Sequence, residues 1–234
     1  MIIALILSGG TGTRLGSSIP KQYIEIGKKA VITYSLETLL LHEEIDAIQI
    51  VADELWQDSI ESWVAETDAH HKFKGFSLPG LTRQLSIYNG LKDIIKYADE
   101  TAAVLVHDAA RPCLTNKQIS ECIAALNGHD GVLPVLPMKD TVYQSANGGK
   151  TVTSLLDRST IYAGQAPELF KLFEYIEANE RLMPDEILKI NGSTEPAILA
   201  GMDIAMIPGD EDNFKITSPA DLVRFEEAVK AREK

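Results

Sequence analysis

The first 23 residues constrain the fold of this chain more than any other stretch. An uninterrupted apolar run at residues 2–7 leads directly into Ser-Gly-Gly-Thr-Gly-Thr-Arg at residues 8–14. A continuously apolar strand is typical of a parallel sheet that is buried on both faces. A glycine-rich turn after such a strand often holds phosphate, because glycine lets backbone N–H groups approach an anion. Arg14 and Lys21 place positive charge beside this turn, which therefore predicts an anion site.

The turn fits neither of two familiar phosphate-binding patterns. It has neither the GxxxxGK[ST] spacing of a Walker loop nor the GxGxxG spacing of a dinucleotide fingerprint. An ordinary glycine turn is the simplest alternative. The two cations that follow at short range favour the anion site.

The remainder of the chain alternates between strand and helix patterns. Strands are predicted at residues 45–52, 74–78, 102–107, 131–136 and 204–207, and helices at residues 30–42, 56–66, 86–98, 115–126 and 167–179. Residues 190–201 read as a turn entering a short helix capped by Ser193 or Thr194, and Ser218 with Pro219 opens a C-terminal helix. The pattern predicts an α/β fold: a Rossmann-like, doubly wound, mostly parallel sheet in a single domain over residues 1–234.

A β-hairpin is predicted to protrude from this domain. Residues 141–145 and 151–155 read as strands, and Asn-Gly-Gly at residues 147–149 supplies the turn. An isolated hairpin is marginally stable in water, so a second subunit is the natural surface for it to pack on.

Composition excludes several classes of protein. A formal net charge of −12 argues against nucleic acid and anionic membranes as partners, and suits a small anionic ligand at a locally basic site. No apolar run approaches a membrane span, and the N-terminus lacks the basic leading region of a signal peptide. Cys113 and Cys122 make no disulfide framework, so a reduced, cytoplasmic setting is expected. The five histidines show no zinc-ligand spacing.

Four clusters of polar residues follow predicted strands, at residues 9–21, 80–86, 108–111 and 212–215. In a doubly wound sheet the carboxyl ends of the strands share one edge, so the clusters are expected to meet there. Arg14, Lys21 and Lys215 would supply cations, and Asp108 a hard oxygen ligand of the kind that Mg²⁺ prefers. This combination suits phosphoryl or nucleotidyl transfer by positioning and charge stabilisation.

With these residues in view, the chain resembles the cytidylyltransferase family that includes 2-C-methyl-D-erythritol 4-phosphate cytidylyltransferase and ribitol-5-phosphate cytidylyltransferase. The resemblance covers nearly the whole chain. It is carried by the motifs SGGTGTRLGSSIPKQY (8–23), VHDAARPCL (106–114), DRSTIYAGQAPELF (157–170) and NFKITSPADL (213–222).

The resemblance implies that a substrate phosphate attacks the α-phosphorus of CTP and releases pyrophosphate, and that two subunits interlock through arms at about residues 138–165. It assigns catalytic charge to Arg14, Lys21 and Lys215, and a place beside Mg²⁺ to Asp108. It assigns nucleotide contacts to Ser8, Gly9, Gly10, Gly12, Gly80, Ser86 and Ala109. It assigns the second substrate to Arg111, Thr141 and Arg158, with Arg158 coming from the other subunit.

Three departures from the family pattern fall on the side of the acceptor. Residues 166–168 read Ala-Pro-Glu where the family usually has Thr-Pro-Gln, residues 191–196 replace a Thr-Asp step, and Leu81 replaces an acid. Ribitol 5-phosphate, 2-C-methyl-D-erythritol 4-phosphate, another polyol phosphate and a phosphonate such as 2-aminoethylphosphonate all remain open as acceptors. Glu195 suggests an acceptor that carries an amine.

Two further functions are compatible with parts of the sequence. The glycine-rich loop alone suits nucleotidyl transfer to a sugar phosphate from a nucleoside triphosphate with another base, although the motifs at residues 107–112 and 213–217 favour CTP. A catalytically inactive dimeric binding module is the alternative outside enzymes, and the presence of Arg14, Lys21, Asp108 and Lys215 argues against it.

Overall fold

The computed structural model describes residues 1–10, 19–68 and 71–232. The strands are β1 (Ile2–Leu7), β2 (Glu25–Ile26), β3 (Lys29–Ala30), β4 (Ala47–Val51), β5 (Phe73–Ser77), β6 (Ala103–Asp108), β7 (Gly131–Pro137), β8 (Val142–Gln144), β9 (Ser154–Leu156), β10 (Tyr162–Gly164), β11 (Glu168–Lys171) and β12 (Ile204–Pro208). The helices are α1 (Val31–Leu41), α2 (Glu54–Ala65), α3 (Arg83–Ile94), α4 (Asn116–Ala125), α5 (Leu172–Glu180), α6 (Glu195–Leu199) and α7 (Pro219–Arg232).

The central sheet is mixed and mostly parallel, as the alternation predicted. Strands β6, β1, β4 and β5 are neighbours in that order and run parallel. Beyond β6 lies the antiparallel strand β11, followed by β7, which also pairs with β10 and β12. The carboxyl ends of β1, β4, β5 and β6 therefore share one edge, and the antiparallel β11 begins at that same edge.

Strand β1 is apolar throughout because both of its faces are covered. Ala4 and Ile6 belong to a core cluster with residues of α1, α2 and α4, whereas Ile3 and Leu5 point to the opposite face. On that face they pack with residues of α3 and α5. Successive strand residues point to opposite faces, so only a continuous apolar run satisfies a strand in this position.

The predicted helix over residues 167–179 is wrong in its first part. Residues 168–171 form β11, and the helix α5 begins only at Leu172. Leu169 and Phe170 are fully buried, and β11 pairs with β6 on one side and β7 on the other. The ladder partners come from strands far away in the sequence, so the local pattern could not reveal them. Strand β10 was missed for the same reason.

Helix starts largely follow the expected capping chemistry. Thr115 and Gln118 form a reciprocal capping box at α4, and the Ser218 hydroxyl accepts the backbone N–H of Asp221 at α7. Thr194 takes the N-cap position of α6 without a side-chain capping bond, and the Ser193 hydroxyl bonds elsewhere. No helix in the described ranges is both long enough and apolar enough to cross a membrane.

Strands β8 and β9 pair antiparallel as a small sheet of their own, within the predicted hairpin. Tyr143, Val152 and Leu155 leave most of their side-chain surface exposed. These apolar groups fit a surface that packs on another chain. The role of the hairpin as a dimerisation arm stays a prediction.

Candidate active site at the carboxyl edge of the sheet

Asp108, the last residue of β6, lies at the centre of a cluster of cations. Its Oδ1 accepts a hydrogen bond from Arg83 Nε at 3.0 Å, and its Oδ2 accepts one from Lys215 Nζ at 2.9 Å. The Nε of Arg111 lies 3.7 Å from the same Oδ2. Burial alone would raise the pKa of the Asp108 carboxyl, but these three cations outweigh it and hold that pKa well below its usual range. Asp108 is therefore ionised at every physiological pH.

Arg83 is a site residue that sequence reasoning did not single out. It is the first residue of α3, directly after the N-cap Thr82, and its guanidinium bridges Asp108 and the Ser193 hydroxyl. Burial works to lower the pKa of Arg83, but the nearby Asp108 carboxylate raises it on balance. The only signal in the sequence was its place inside the cluster at residues 80–86. Within that cluster, nucleotide contacts were predicted for Gly80 and Ser86 only.

Lys21 is held next to the Asp108 cluster by the backbone of the residue that follows Lys215. Lys21 Nζ donates to the backbone carbonyl of Ile216 at 2.5 Å, one residue after Lys215. The Ile216 N–H in turn donates to the carbonyl of Ala110 at 2.9 Å. These bonds bring together three clusters that are far apart in the sequence, at residues 9–21, 108–111 and 212–215. Arg14 and Gly12 lie outside the described residues, so their predicted roles stay predictions.

The beginning of the glycine-rich turn is tied down from two sides. The Gln22 side chain donates to the carbonyls of Ser8 and Gly10, both at 2.7 Å. The Tyr23 hydroxyl donates to the Ser8 carbonyl at 2.9 Å and accepts from the Ser8 hydroxyl at 2.8 Å. The Tyr23 ring stacks on Trp56 with ring centroids 4.2 Å apart. The Ser8 side chain is thus bonded to Tyr23, and the carbonyls of Ser8 and Gly10 are both taken up by side chains of residues 22 and 23.

The second predicted nucleotide loop packs against the first. A Cβ on Gly9 would lie 2.4 Å from the Cβ of Pro79, and a Cβ on Gly80 would lie 2.6 Å from Leu85 Cγ. The Ser86 hydroxyl accepts the Gly80 N–H at 3.0 Å. Glycine is therefore required at both places by close approach, and the two loops form one surface.

Ala109 lies where β1 and β6 end side by side. Its N–H donates to the carbonyl of Leu7 at 3.1 Å, and the residue is buried. Its side chain belongs to the same core cluster as Ala4 and Ile6. Its predicted contact with the nucleotide stays a prediction.

Arg111 is buried beside Asp108, and one of its nitrogen donors makes no hydrogen bond within the described residues. Its Nη1 donates to the carbonyl of Asn213 at 2.7 Å, whereas its buried Nε has no hydrogen-bond partner in the described part of the chain. Burial lowers the pKa of this guanidinium, although that of arginine starts so high that the charge remains. A buried unsatisfied donor beside a carboxylate is a place where a substrate oxygen can bind.

Glu168 is a second site residue that was not predicted as such. It is the first residue of β11, and its Oε2 accepts the hydroxyl proton of Ser193. Burial raises the pKa of this carboxyl to about 7, against the opposing effect of Arg83. The sequence had signalled the position only as a departure from the family pattern.

Glu195 has a hydrogen-bond partner within its own segment. Its carboxylate accepts the backbone N–H of Asn191 at 2.9 Å and so closes the turn that leads into α6. The Asn191 N–H is therefore a structural partner of this carboxylate. Its role toward an amine on the acceptor stays a prediction.

Thr141 and Arg158 come together on the hairpin. Both line an open cleft of about 480 Å³ together with Leu155, Leu156 and Asp157. Arg158 donates from Nη1 to the carbonyl of Lys139 at 2.7 Å, which holds it at the base of the hairpin. The structure thus groups these two residues with each other, and their meeting with the Asp108 cluster of a second subunit stays a prediction.

The described residues do not by themselves form a site for Mg²⁺, and the predicted place of Asp108 beside a Mg²⁺ held by substrate phosphate stays a prediction. They contain no group of three or more Asp, Glu, His or Cys side chains that could hold a metal ion. Asp108 is the carboxylate predicted for the role, and both of its oxygens already accept bonds from cations. A divalent ion placed there would face three positive charges, unless a ligand brought in further negative charge.

The charge of the cluster favours an anionic ligand. Arg83, Arg111 and Lys215 surround Asp108, and the second carboxyl, Glu168, has a pKa near neutrality. Lys21 adds a further cation beside Ile216. The sum is positive at neutral pH, in a protein whose formal net charge is −12. Such a site can bind phosphate and stabilise negative charge that develops on it.

The comparisons with known proteins agree with this chemistry. The family model described as "IspD: 2-C-methyl-D-erythritol 4-phosphate cytidylyltransferase" matches residues 2–231. A 2-C-methyl-D-erythritol 4-phosphate cytidylyltransferase from Roseobacter denitrificans is 34% identical, over 98% of this chain and 97% of its own length. A ribitol-5-phosphate cytidylyltransferase from Vibrio parahaemolyticus is 33% identical, over 100% of this chain and 98% of its own length.

A longer relative and a solved structure are similar to this chain over nearly its whole length. A bifunctional enzyme IspD/IspF from Granulibacter bethesdensis is 36% identical over 97% of this chain, which spans 56% of that relative's length. The crystal structure of a 4-diphosphocytidyl-2C-methyl-D-erythritol synthase superposes with a TM-score of 0.79 at 26% identity, covering 97% of this chain and 98% of its own. The chain therefore belongs to the 2-C-methyl-D-erythritol 4-phosphate cytidylyltransferase (IspD) family of nucleotidyltransferases.

Proposed function

We propose that this chain transfers CMP from CTP to a polyol phosphate and releases pyrophosphate. The observation that carries the proposal is the net positive cluster of Arg83, Arg111 and Lys215 around Asp108, next to the glycine turn and Lys21. Family membership supplies the nucleotide and the class of reaction.

In the proposed reaction an oxygen of the acceptor phosphate attacks the α-phosphorus of CTP. The bond from the α-phosphorus to the oxygen that bridges to the β-phosphorus breaks, and that oxygen leaves as part of pyrophosphate. Negative charge accumulates on the α-phosphoryl oxygens and on the leaving group, and Lys21 and Lys215 would stabilise it. The acceptor is itself the nucleophile, so no protein nucleophile is required, and both cysteines are buried.

Mg²⁺ enters this proposal on the triphosphate of CTP, because the described residues do not form a site for the free ion. Four negative charges on the nucleotide would offset the cations around Asp108, which repel a lone divalent ion. The protein's own contribution is to position the two substrates and to supply fixed positive charge.

The acceptor is proposed to be a polyol phosphate, since the relatives named above act on 2-C-methyl-D-erythritol 4-phosphate or on ribitol 5-phosphate according to their names. Their identities to this chain, 34% and 33%, do not separate the two. The Glu195 carboxylate accepts a hydrogen bond from the Asn191 N–H within its own segment. Because this carboxylate already has a partner, a polyol phosphate is favoured over an acceptor that carries an amine.

A matrix of substrates tests the proposal. Each of four nucleoside triphosphates is combined with ribitol 5-phosphate, 2-C-methyl-D-erythritol 4-phosphate or 2-aminoethylphosphonate, and products are followed by pyrophosphate release and mass spectrometry. We expect a CMP adduct only with CTP and one or both polyol phosphates. Faster turnover with another nucleotide, or a CMP adduct of the phosphonate alone, would overturn it.

The hairpin is proposed to complete the acceptor site of a second subunit. Arg158 can bind a phosphate in two places through its guanidinium fork, and it lines a cleft with Thr141 at the exposed hairpin. A light-scattering mass of two chains, together with an Arg158→Ala variant impaired toward the acceptor, would support this assembly. A monomeric protein with full activity would contradict it.

A further inference from the structure

Glu168 is a buried carboxyl to which the proposed reaction assigns no task. It begins β11 at the carboxyl edge of the sheet, and only 9% of its surface is exposed. Burying a carboxyl away from water costs free energy unless polar partners compensate, so such a residue needs an explanation. Its hydrogen-bond partner is the Ser193 hydroxyl, which lies in the segment leading into α6.

When Glu168 is ionised, the directions of the hydrogen bonds around Ser193 are fixed by chemistry, because a carboxylate can only accept. A hydroxyl has a single proton, and Ser193 gives it to Glu168. It must therefore act as the acceptor toward Arg83 Nη1, which lies 2.8 Å away and can only donate. Glu168 in this way orients the Ser193 lone pairs toward Arg83.

The orientation of the Arg83 guanidinium in turn determines how it binds Asp108. Its Nη1 is held by Ser193 while its Nε binds Asp108 Oδ1, so two separate nitrogens of one planar group are fixed. The second oxygen of Asp108 binds Lys215. One continuous series of hydrogen bonds therefore runs Glu168–Ser193–Arg83–Asp108–Lys215, with donors and acceptors alternating along it.

The backbone of Ser193 is held independently of Glu168. Its carbonyl accepts the hydroxyl of the fully buried Tyr175 at 2.7 Å. The Tyr175 ring stacks on Phe170 with centroids 4.1 Å apart, and its oxygen also accepts from Gln84 Nε2 at 3.1 Å. The position of the segment is thus set by these contacts, and what depends on Glu168 is the orientation of the Ser193 hydroxyl and of Arg83.

Unsatisfied polar atoms lie next to two members of this series, Ser193 and Asp108. Thr194 Oγ1 and Arg111 Nε are buried and have no hydrogen-bond partner among the residues that the structure describes. Thr194 follows Ser193 directly, and Arg111 Nε lies 3.7 Å from Asp108. These are polar groups that an acceptor phosphate or hydroxyl can satisfy, whereas the donor's glycine turn lies at β1.

We propose that Glu168 is a positioning residue for the acceptor: through Ser193 it fixes the Arg83 guanidinium across Asp108, and so sets the geometry in which the cations meet the acceptor phosphate. This inference rests on the proposed function. Glu168 itself does not touch the substrates. Its effect reaches them by way of two side chains, which distinguishes it from Lys21 and Lys215.

The test is a double-mutant cycle with Glu168→Gln and Ser193→Ala, measured by steady-state kinetics in both substrates. Gln keeps the size of Glu and one acceptor oxygen but removes the charge. We expect Ser193→Ala to raise the acceptor KM about tenfold, the effect of losing one hydrogen bond to a charged group. Glu168→Gln should raise it about threefold, because an amide oxygen still accepts the Ser193 hydroxyl but binds it more weakly than a carboxylate does. The KM for CTP should change less than about twofold, and the double variant should be no worse than Ser193→Ala. Glu174→Gln, on the exposed side of α5, serves as the matched control.

The outcomes separate the inference from the proposed function. A wild-type protein that forms no CMP adduct contradicts the function itself. An active wild type with an unchanged acceptor KM in Glu168→Gln contradicts the inference, as do additive effects in the double variant. Equal losses for CTP and acceptor would indicate general damage to the fold and also count against it. Should Glu168→Gln fail to fold, Ser193→Ala alone decides, because it breaks the series without altering the buried charge.

Discussion

Replacing Asp108 by Asn is the most informative single perturbation of this site. The substitution keeps the shape of the side chain and removes the one negative charge that Arg83 and Lys215 both bind, at 3.0 Å and 2.9 Å. An amide can accept from one of these cations only, and its NH₂ group would face the other. Three cations would then lie close together without the carboxylate that separates them.

The magnitude follows from burial. Removing one partner of a buried ion pair typically costs about 3–5 kcal/mol, because the remaining charge is left uncompensated. The Arg83 and Lys215 side chains are 33% and 34% exposed, so water can solvate part of their charge. We therefore expect the lower end, about 3 kcal/mol of unfolding free energy, or a fall in Tm of about 6–12 °C for a chain of this length.

The assay is urea unfolding followed by tryptophan fluorescence at pH 7, with Asp212→Asn as the control. Asp212 makes an ion pair with Arg224 at 3.2 Å, but its side chain is 89% exposed, so the same change there should cost far less. Inorganic phosphate should restore more stability to Asp108→Asn than to the wild type, because the bare cations bind anions. A variant within about 1 kcal/mol of the wild type, or one indifferent to phosphate, would refute the reasoning.

Three further predictions address other parts of the site. Lys21→Ala should lower kcat by about a hundredfold or more if its charge acts in the transition state, with little change in the unfolding midpoint; unchanged turnover in a CTP assay would remove Lys21 from the mechanism. Gly9→Ala should lose about 1–3 kcal/mol of stability and bind CTP more weakly, because its Cβ would lie 2.4 Å from Pro79; calorimetric binding equal to that of the wild type would contradict the close packing of the two loops. Free Mg²⁺ should show no calorimetric binding to the protein alone and bind only with CTP present, whereas a stoichiometric site in the protein alone would contradict the misfit at Asp108.

The pH dependence of stability provides a fifth prediction, because burial raises the pKa of Glu168 from 4.5 to about 7. For a carboxyl whose folded pKa is raised, the stabilising contribution is fully present below the unfolded pKa and is lost as pH rises through the folded one. From pH 4.5 to pH 8 the wild type should therefore lose about 3 kcal/mol relative to Glu168→Gln. Urea unfolding of both proteins at these two pH values checks the sign, and a constant difference between them would show that Glu168 does not titrate in this range.

Sequence reasoning predicted which segments would meet more accurately than it identified the contacts between them. It placed Lys21, Asp108 and Lys215 together at one edge, because strand ends in a parallel sheet share an edge whatever the details of packing. It overlooked Arg83 and Glu168, whose importance depends on which side chains face them. No local pattern encodes those partners, which are up to 110 residues away in the sequence.

The fold shows the same division at β11. The residues that form it read equally well as the start of a helix, since a short apolar run does not distinguish a strand from a buried helix. The structure makes them a strand because β6 and β7 lie on either side and supply hydrogen bonds to both edges. This choice also places Glu168 at the edge where Asp108 ends β6.

The sequence by itself determined the buried first strand, the glycine turn, the α/β class and the family, because these depend on residue type and local spacing. Only the tertiary structure decided that Asp108 is bound by three cations, that Glu195 closes a turn, and that Glu168 reaches Arg83 through Ser193. The physical reason is that charge pairing and desolvation are set by distances between segments remote in sequence. Those distances exist only once the sheet has assembled.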